Sequence, residues 1–469
     1  MFDFENKKAI FPNVHRSYKF CLFTAGGGEA PTAKEAAFVF FAHDVDDLKN
    51  PDRQITLSPA DIILLNPNTK TCPIFRSRAD AELAKTIYRR VPVLIKEGPP
   101  EVNSWGIRFR QGLFNMTSDS NLFRTREQLL VDGWHLKGNI FHRDEEVYLP
   151  LCEAKLIHHF DHRWATYDHN DDTHDVTLAE KQHADFFVMP RYWVPEQEVL
   201  SRLEERWDRQ WLMGFRDITN TTNERTAIFS VMPPNGVGHT CPIVLSERQS
   251  RDLGLLLLNL STFALDFSAR QKIGGTHLTY GYLNQLPLLG PDTYSLPVLW
   301  DKLQPEMGNW LLPRLLELTY TAWDLEHFAQ DCGWSGPPFR WNEERRFILR
   351  CELDAAFFHL YLTADKHGEW VRAERLSGAV QDESSKELSE LKRYFPTPRH
   401  AVEHVMDSFP IVKRKDEAEH GSYRTKEVIL EIYDAMAETI RTGIPYQTKL
   451  NPPPADPSCR HPPKPEALI

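Results

Sequence analysis

Short apolar runs broken by polar, Gly and Pro stretches fill the first two thirds of the chain, and longer runs with helical spacing fill the last third. Residues 18–23 and 37–41 are apolar enough over a short length to predict two strands, joined by the turn Gly26-Gly27-Gly28. Between 57 and 93 a polar, Pro-punctuated stretch predicts a loop that leads into a helix over 80–90, where Leu83 and Ile87 share a face. From 139 to 289 short strands are predicted at 147–149, 192–194, 211–215, 226–231 and 242–245, each bounded by Gly, Pro or Asn. One apolar helix, 250–269, interrupts them, with Leu255, Leu258, Phe263 and Phe267 available for burial. After Pro291 helices are predicted over 310–329, 343–362, 385–393 and 426–441. The pattern therefore predicts a mixed α/β (α+β) chain in four parts: 1–135, a strand-rich 136–290, a helical 291–450, and a Pro-rich tail from 451 to 469 that runs along the surface or frays.

Composition narrows this picture. A 469-residue chain with 41% hydrophobic and 26% charged residues folds, and it is long enough for two or three modules. Its 55 Lys and Arg against 66 Asp and Glu give a formal net charge of −11, which repels a polyanion at long range. Contact with DNA would need a local basic cleft. Seven cysteines, odd in number, scattered and without a CxxC pair, signal neither a disulfide frame nor a zinc ribbon and fit a reducing cytoplasm. No basic segment followed by an apolar one opens the chain, and no apolar run approaches the roughly 20 residues that span a bilayer.

Several short motifs carry candidate chemistry. His158-His159-Phe-Asp161-His162-Arg163 offers three imidazoles and a carboxylate, but the Glu of the HExxH zinc pattern is missing, so no metal ligands are assigned. Glu153-Ala-Lys155 matches half of a magnesium-dependent nuclease site, whose upstream Asp would have to come from Pro51-Asp52, far away in sequence. Asn451-Pro452-Pro453-Pro454 lacks the aromatic ring that stacks on a flipped adenine, and the glycine turn lacks the acidic residue expected after the next strand. No catalytic residue is assigned. Two segments have the composition of nucleic-acid contacts. In 211–226, Arg216 and Arg225 alternate with Asn220, Asn223 and hydroxyl residues; in 269–280, Arg270, Gln271 and Lys272 precede Gly274-Gly275-Thr276-His277.

Long blocks of the chain resemble a known family. Phe2-Asp-Phe-Glu-Asn6 with residues 18–22, then 66–78, 148–163, 190–195, 214–220, 223–226, 270–277 and 451–457, are similar to large adenine-specific DNA methyltransferases, whose relatives include type IIG restriction enzymes and the methylases of BREX and DISARM phage-defence systems. In that family, residues like Phe2–Asn6 and the strands after them end the methylase fold, downstream of the cofactor turn and the Asn-Pro-Pro-aromatic motif. The resemblance thus implies truncated methylase-edge strands in 1–135, a DNA target-recognition domain in 136–290, and a helical carboxy-terminal domain. It implies that no cofactor binds this chain, and that S-adenosylmethionine and the catalytic half belong to a missing or separately encoded methylase, a partner alongside double-stranded DNA. The DNA-contacting residues expected are Arg216, Asn220, Asn223, Arg225, Arg270, Gln271, Lys272, Thr276 and His277. Two other readings remain: a metal-dependent nuclease built on Glu153, Lys155 and the His158–His162 cluster, and a scaffold that binds other defence proteins through its helical last third.

Overall fold

The computed structural model describes residues 1–26, 34–203 and 207–464, so Gly27 and Gly28 of the predicted turn lie outside the described residues. Four strands, β1 (Phe2–Glu5), β2 (Lys19–Leu22), β3 (Ala36–Ala42) and β4 (Ile55–Leu57), form a sheet in the order β2-β1-β3-β4, with β1 antiparallel to β2 and parallel to β3. Phe38, Phe40, Ile55 and Leu57 pack against residues of the helices Pro59–Leu65 and Arg78–Arg90. Each helix starts at a capping box, Ser58 with Asp61 and Ser77 with Asp80, in which the serine accepts an N–H of the first turn and the carboxylate accepts the serine's own N–H. The first of these helices lies where the sequence pattern predicts loop.

Among the described residues the next strands build three more sheets. β5 (Ile107–Arg110) waits for later partners, while β6 (His135–Lys137), β7 (Ile140–Arg143) and β8 (Glu146–Cys152) form an antiparallel meander. β9 (Ala165–Tyr167) and β10 (Thr173–Asp175) make a separate ribbon, and β11 (Trp193–Pro195) adds to the outer side of β8. β12 (Leu212–Phe215), β13 (Phe229–Met232) and β15 (Ile243–Ser246) combine with β5 in the order β13-β12-β15-β5, and β14 (Gly236–Val237) runs parallel to β8. Every residue of β12, β13 and β15 is buried, so these three strands are covered on both faces and are apolar but for Ser230 and Ser246, whereas the edge strand β5 alternates apolar and cationic residues. β12 and β15 coincide closely with runs predicted from sequence, β13 starts three residues into the predicted run 226–231, and β5 is not among the predicted runs.

The apolar stretch 250–269 is two helices, Ser250–Leu260 and Phe263–Arg270, bent by 60°. The break has a local cause: the Thr262 hydroxyl accepts the N–H of Leu265, and Oδ1 of Asp354 accepts the N–H of Phe263 at 2.8 Å, satisfying donors that a continuous helix would send to Asn259 and its neighbours. Likewise the predicted helix 310–329 ends at Thr319, and Glu326–Asp331 forms a second one. Helices Glu343–Tyr361, Ser385–Tyr394, Pro398–Asp407, Pro410–His420 and Arg424–Thr442 complete the last third. Among the described residues no single helix is long and apolar enough to cross a membrane; the bent pair comes nearest in composition, and it lies within the core.

One apolar core runs from Leu83 to Leu450 and takes in Trp211, Leu257, Leu315 and Phe357. The boundaries predicted at 135/136 and 290/291 are therefore not gaps in packing. The described part of the Pro-rich tail is held as well: Arg345 donates to the carbonyls of Pro452 (2.6 Å) and Pro453 (2.8 Å), Ala455 donates to Glu317, and Arg340 and His461 donate their backbone N–H groups to the carbonyls of Cys459 and Pro338. The Asn-Pro-Pro-Pro stretch is thus fastened to the helix Glu343–Tyr361. The seven cysteines are all free, and Cys152, Cys241, Cys332 and Cys351 are buried.

Candidate nucleic-acid interface

The two segments singled out by composition lie side by side. Ile218 bridges His277, the Thr219 N–H donates to the Thr276 carbonyl at 2.9 Å, and the Leu278 N–H donates to the Asp217 carbonyl at 2.8 Å. Arg270 ties them further by donating to the carbonyls of Asn223 (2.8 Å) and Glu224 (3.1 Å) while it lies over the Phe409 ring. Asn223, Thr276 and His277 are exposed on this double turn, with Gly274 and Gly275 beside them. Asn220 is half-buried, and its side-chain oxygen caps the turn by accepting the N–H of Thr222. His277 pairs with Asp217 at 3.1 Å.

Three of the nine expected DNA contacts do not reach the surface. Arg225 is buried in an ion pair with Asp266 (2.9 Å) and donates to the Ser261 carbonyl; Gln271 is buried too. Lys272 is also buried, with its ammonium on the Leu65 carbonyl and the Asn66 side chain, and desolvation lowers its pKa to about 7. The cations of this motif thus hold the fold together: a charged group placed next to an apolar core finds internal partners when the chain offers carbonyls and a carboxylate. Arg216 is half-buried and donates to the carbonyls of Ile157 (2.8 Å) and Lys155 (3.3 Å). What remains presented is polar and nearly uncharged.

The cations that do face solvent lie elsewhere along the chain. An open groove of about 1740 Å³ is lined by Arg108 and Arg110 of β5 with Arg202 and Arg248. Arg108 is exposed and, among the described residues, has no hydrogen-bond or ion-pair partner. Arg248 is held by the Ser104 carbonyl (2.8 Å) and Asp252 (3.3 Å), and Arg202 by the Leu113 carbonyl (2.8 Å) and Asp119 (3.2 Å). Glu97, Glu101 and Glu247 line the same groove, so among the described residues its four guanidinium groups outnumber three carboxylates in a chain that is strongly acidic as a whole. Phe109, also on the wall, stacks on Tyr280 with centroids 5.3 Å apart and rings within 6° of parallel. The segment that carries Thr276 and His277 therefore continues through Tyr280 to Asn284, which lines the groove. In the sequence these arginines stand outside both polar motifs; the alternation Ile107-Arg-Phe-Arg110, with one face apolar and the other cationic, is the signal that points to them.

The other motifs are tied into the fold. Glu153 accepts the Tyr167 hydroxyl at 2.5 Å, and Lys155 lies over the Tyr167 ring. Asp161 pairs with Lys181 at 2.7 Å, both buried, and the buried His162 with the half-buried Asp324 at 2.8 Å. Among the described residues no group of three or more His, Cys, Asp or Glu side chains is placed to hold a metal ion. Comparison of the chain with protein-family models, with curated proteins and with solved structures returned no match.

Proposed function

We propose that this chain binds double-stranded DNA and selects the target of an adenine-specific DNA methyltransferase in a cytoplasmic restriction-modification or phage-defence system, with S-adenosylmethionine and catalysis supplied by the methylase. The observation that carries this reading is the groove with Arg108, Arg110, Arg202 and Arg248, whose wall includes Asn284 of the segment that follows the exposed Thr276 and His277. Guanidinium groups in an open groove suit phosphate oxygens, while amide, hydroxyl and imidazole groups suit base edges. The net charge of −11 makes the attraction short-ranged, so binding should be strongly salt-dependent.

The test is fluorescence anisotropy with labelled duplex DNA at two salt concentrations, with and without a methylase. Binding by the wild type is expected to weaken with salt. In the double variant Arg108→Ala and Arg248→Ala the slope of log Kd against log salt should shrink by about 2, at roughly 0.9 for each phosphate that is no longer neutralised. No binding under any condition, or an unchanged slope in the variant, overturns the reading.

One further observation favours a protein partner. β2 lies at the end of its sheet, and Tyr18, Leu22 and Phe23 around it are exposed, which suits a methylase that adds to this edge. Fixed-stoichiometry co-purification that disappears in Leu22→Lys checks it.

A further inference from the structure

A second cavity lies apart from the groove, where the turn His158-His159-Phe160, the helix break at Ser261-Thr262 and the helix Glu343–Tyr361 meet. Its volume is about 90 Å³, room for a small cluster of waters or one molecule of a few heavy atoms. His159 is buried in its wall and neither ring nitrogen has a partner; the buried Ser261 hydroxyl has none either. Buried polar atoms are almost always satisfied, so three orphans around one cavity point to an occupant. Phe160 holds the turn in the left-handed region, φ 54°, an uncommon conformation for a bulky residue, and Arg350 lines the cavity without a hydrogen-bond or ion-pair partner among the described residues.

The electrostatics select the occupant. Burial and then the charges of Arg225 and Arg350 hold His159 well below the usual imidazole range, so it is a neutral ring with one N–H to donate, in a positive potential. Glu224 is already paired with Lys415, and Arg225 with Asp266. We propose that this cavity binds a small oxyanion, a carboxylate or inorganic phosphate, through the His159 ring, the Ser261 hydroxyl and the Arg350 guanidinium. The site is independent of the DNA-binding reading.

Asp354 also faces the cavity, where burial pushes its carboxyl up to about 6 against the opposing pull of Arg225, the Phe263 N–H and Arg350, with Asp266 adding to the rise. An anion enters most easily when Asp354 holds a proton. Burial keeps His158 neutral down to about 3 and keeps the Cys351 thiol protonated, while Lys415 holds Glu224 ionised, so affinity should fall as pH rises through about 6.

Titration calorimetry of the full chain with sodium acetate and with sodium phosphate, at matched ionic strength and about pH 6, where half of Asp354 is protonated, tests the site in the wild type, Arg350→Gln and Ser261→Ala. Arg350 is exposed and has no hydrogen-bond or ion-pair partner among the described residues, so its variant should fold as the wild type does, which a melting curve without anion checks. Saturable binding of either anion, weakened about tenfold or more in Arg350→Gln as expected when a charged hydrogen bond is removed, supports the proposal. Acetate alone would identify a carboxylate site and phosphate alone a phosphate site. Absence of saturable heat with both, or equal affinity in all three proteins, overturns it and leaves the cavity to water.

Discussion

Lys272 shows how far a residue's chemistry depends on what surrounds it. Its sequence neighbours, Arg270, Gln271 and a Gly-Gly turn, are those of a phosphate contact, yet the ammonium is buried under the Tyr88 ring and bonded to Leu65 and Asn66. Its folded pKa is lowered to about 7 from the ordinary 10.5, so between these pH values the unfolded chain binds more protons than the folded one. Stability should therefore rise with pH from about 7 to about 10.5, by an amount on the order of a few kcal/mol at about 1.4 kcal/mol per pKa unit. Urea melts of the wild type and Lys272→Met across that range check it: the variant should lack this rise, and parallel profiles would show that Lys272 is not the group responsible. Arg163 makes the same point from the histidine-rich cluster. It is fully buried and donates to the carbonyls of Lys181, His183, Phe186 and Thr321, so it clamps two distant segments. Arg163→Lys cannot span these acceptors and should cost about 3 kcal/mol or more in a denaturant melt. Sequence shows that such residues are polar and clustered; it does not show that the Thr321 carbonyl, 158 residues away, will meet one of them.

At the scale of elements, what was legible followed from local chemistry. The runs 211–215 and 242–245 and the second half of 226–231 became buried strands because their side chains are largely apolar on both faces, and the helix at 80–90 followed from its spacing. The break between Leu260 and Phe263 was not legible, since the group that stabilises it, Asp354, comes from another helix. The groove was missed for a related reason: its arginines sit at 108, 110, 202 and 248, and only the pairing of β5 with β15 assembles them. That wall depends on Gly112, just beyond β5. Its φ is +60°, and a Cβ there would stand 2.4 Å from the Gly238 carbonyl oxygen, which belongs to backbone and has little freedom to move. Gly112→Ala should destabilise by about 2–4 kcal/mol, combining left-handed strain with overpacking. Gly133→Ala, at φ +80° in open space, should cost only about 1 kcal/mol. Thermal melts of both variants check the difference; equal losses would mean that the contact with Gly238 does not matter.

For the whole molecule the question is whether the segment 136–290, or 1–290, is a unit. Every residue lining the arginine groove lies before 291, so a separable recognition domain would bind DNA without the helical third. The packing argues against separability. The helix Ser250–Leu260 buries Leu253 and Leu255–Leu258, and it approaches Met307–Thr319 so closely that a Cβ on Gly254 would stand 2.8 Å from the Leu315 side chain. Arg90 pairs with Glu383 at 3.0 Å with both side chains fully buried, and Asp354 holds the N–H of Phe263. Truncation after Leu289 would expose the leucine face of 253–258 and strip a buried guanidinium of its partner, and removing one partner of a buried ion pair alone costs about 3–5 kcal/mol. The fragment 1–289 is expected to lose its cooperative melt and its resistance to protease, and limited digestion of the full chain should spare the connection near 290. A fragment that melts cooperatively and binds DNA with wild-type salt dependence would show instead that the groove belongs to an autonomous domain, and that the shared core with the last third is an interface rather than a condition of folding.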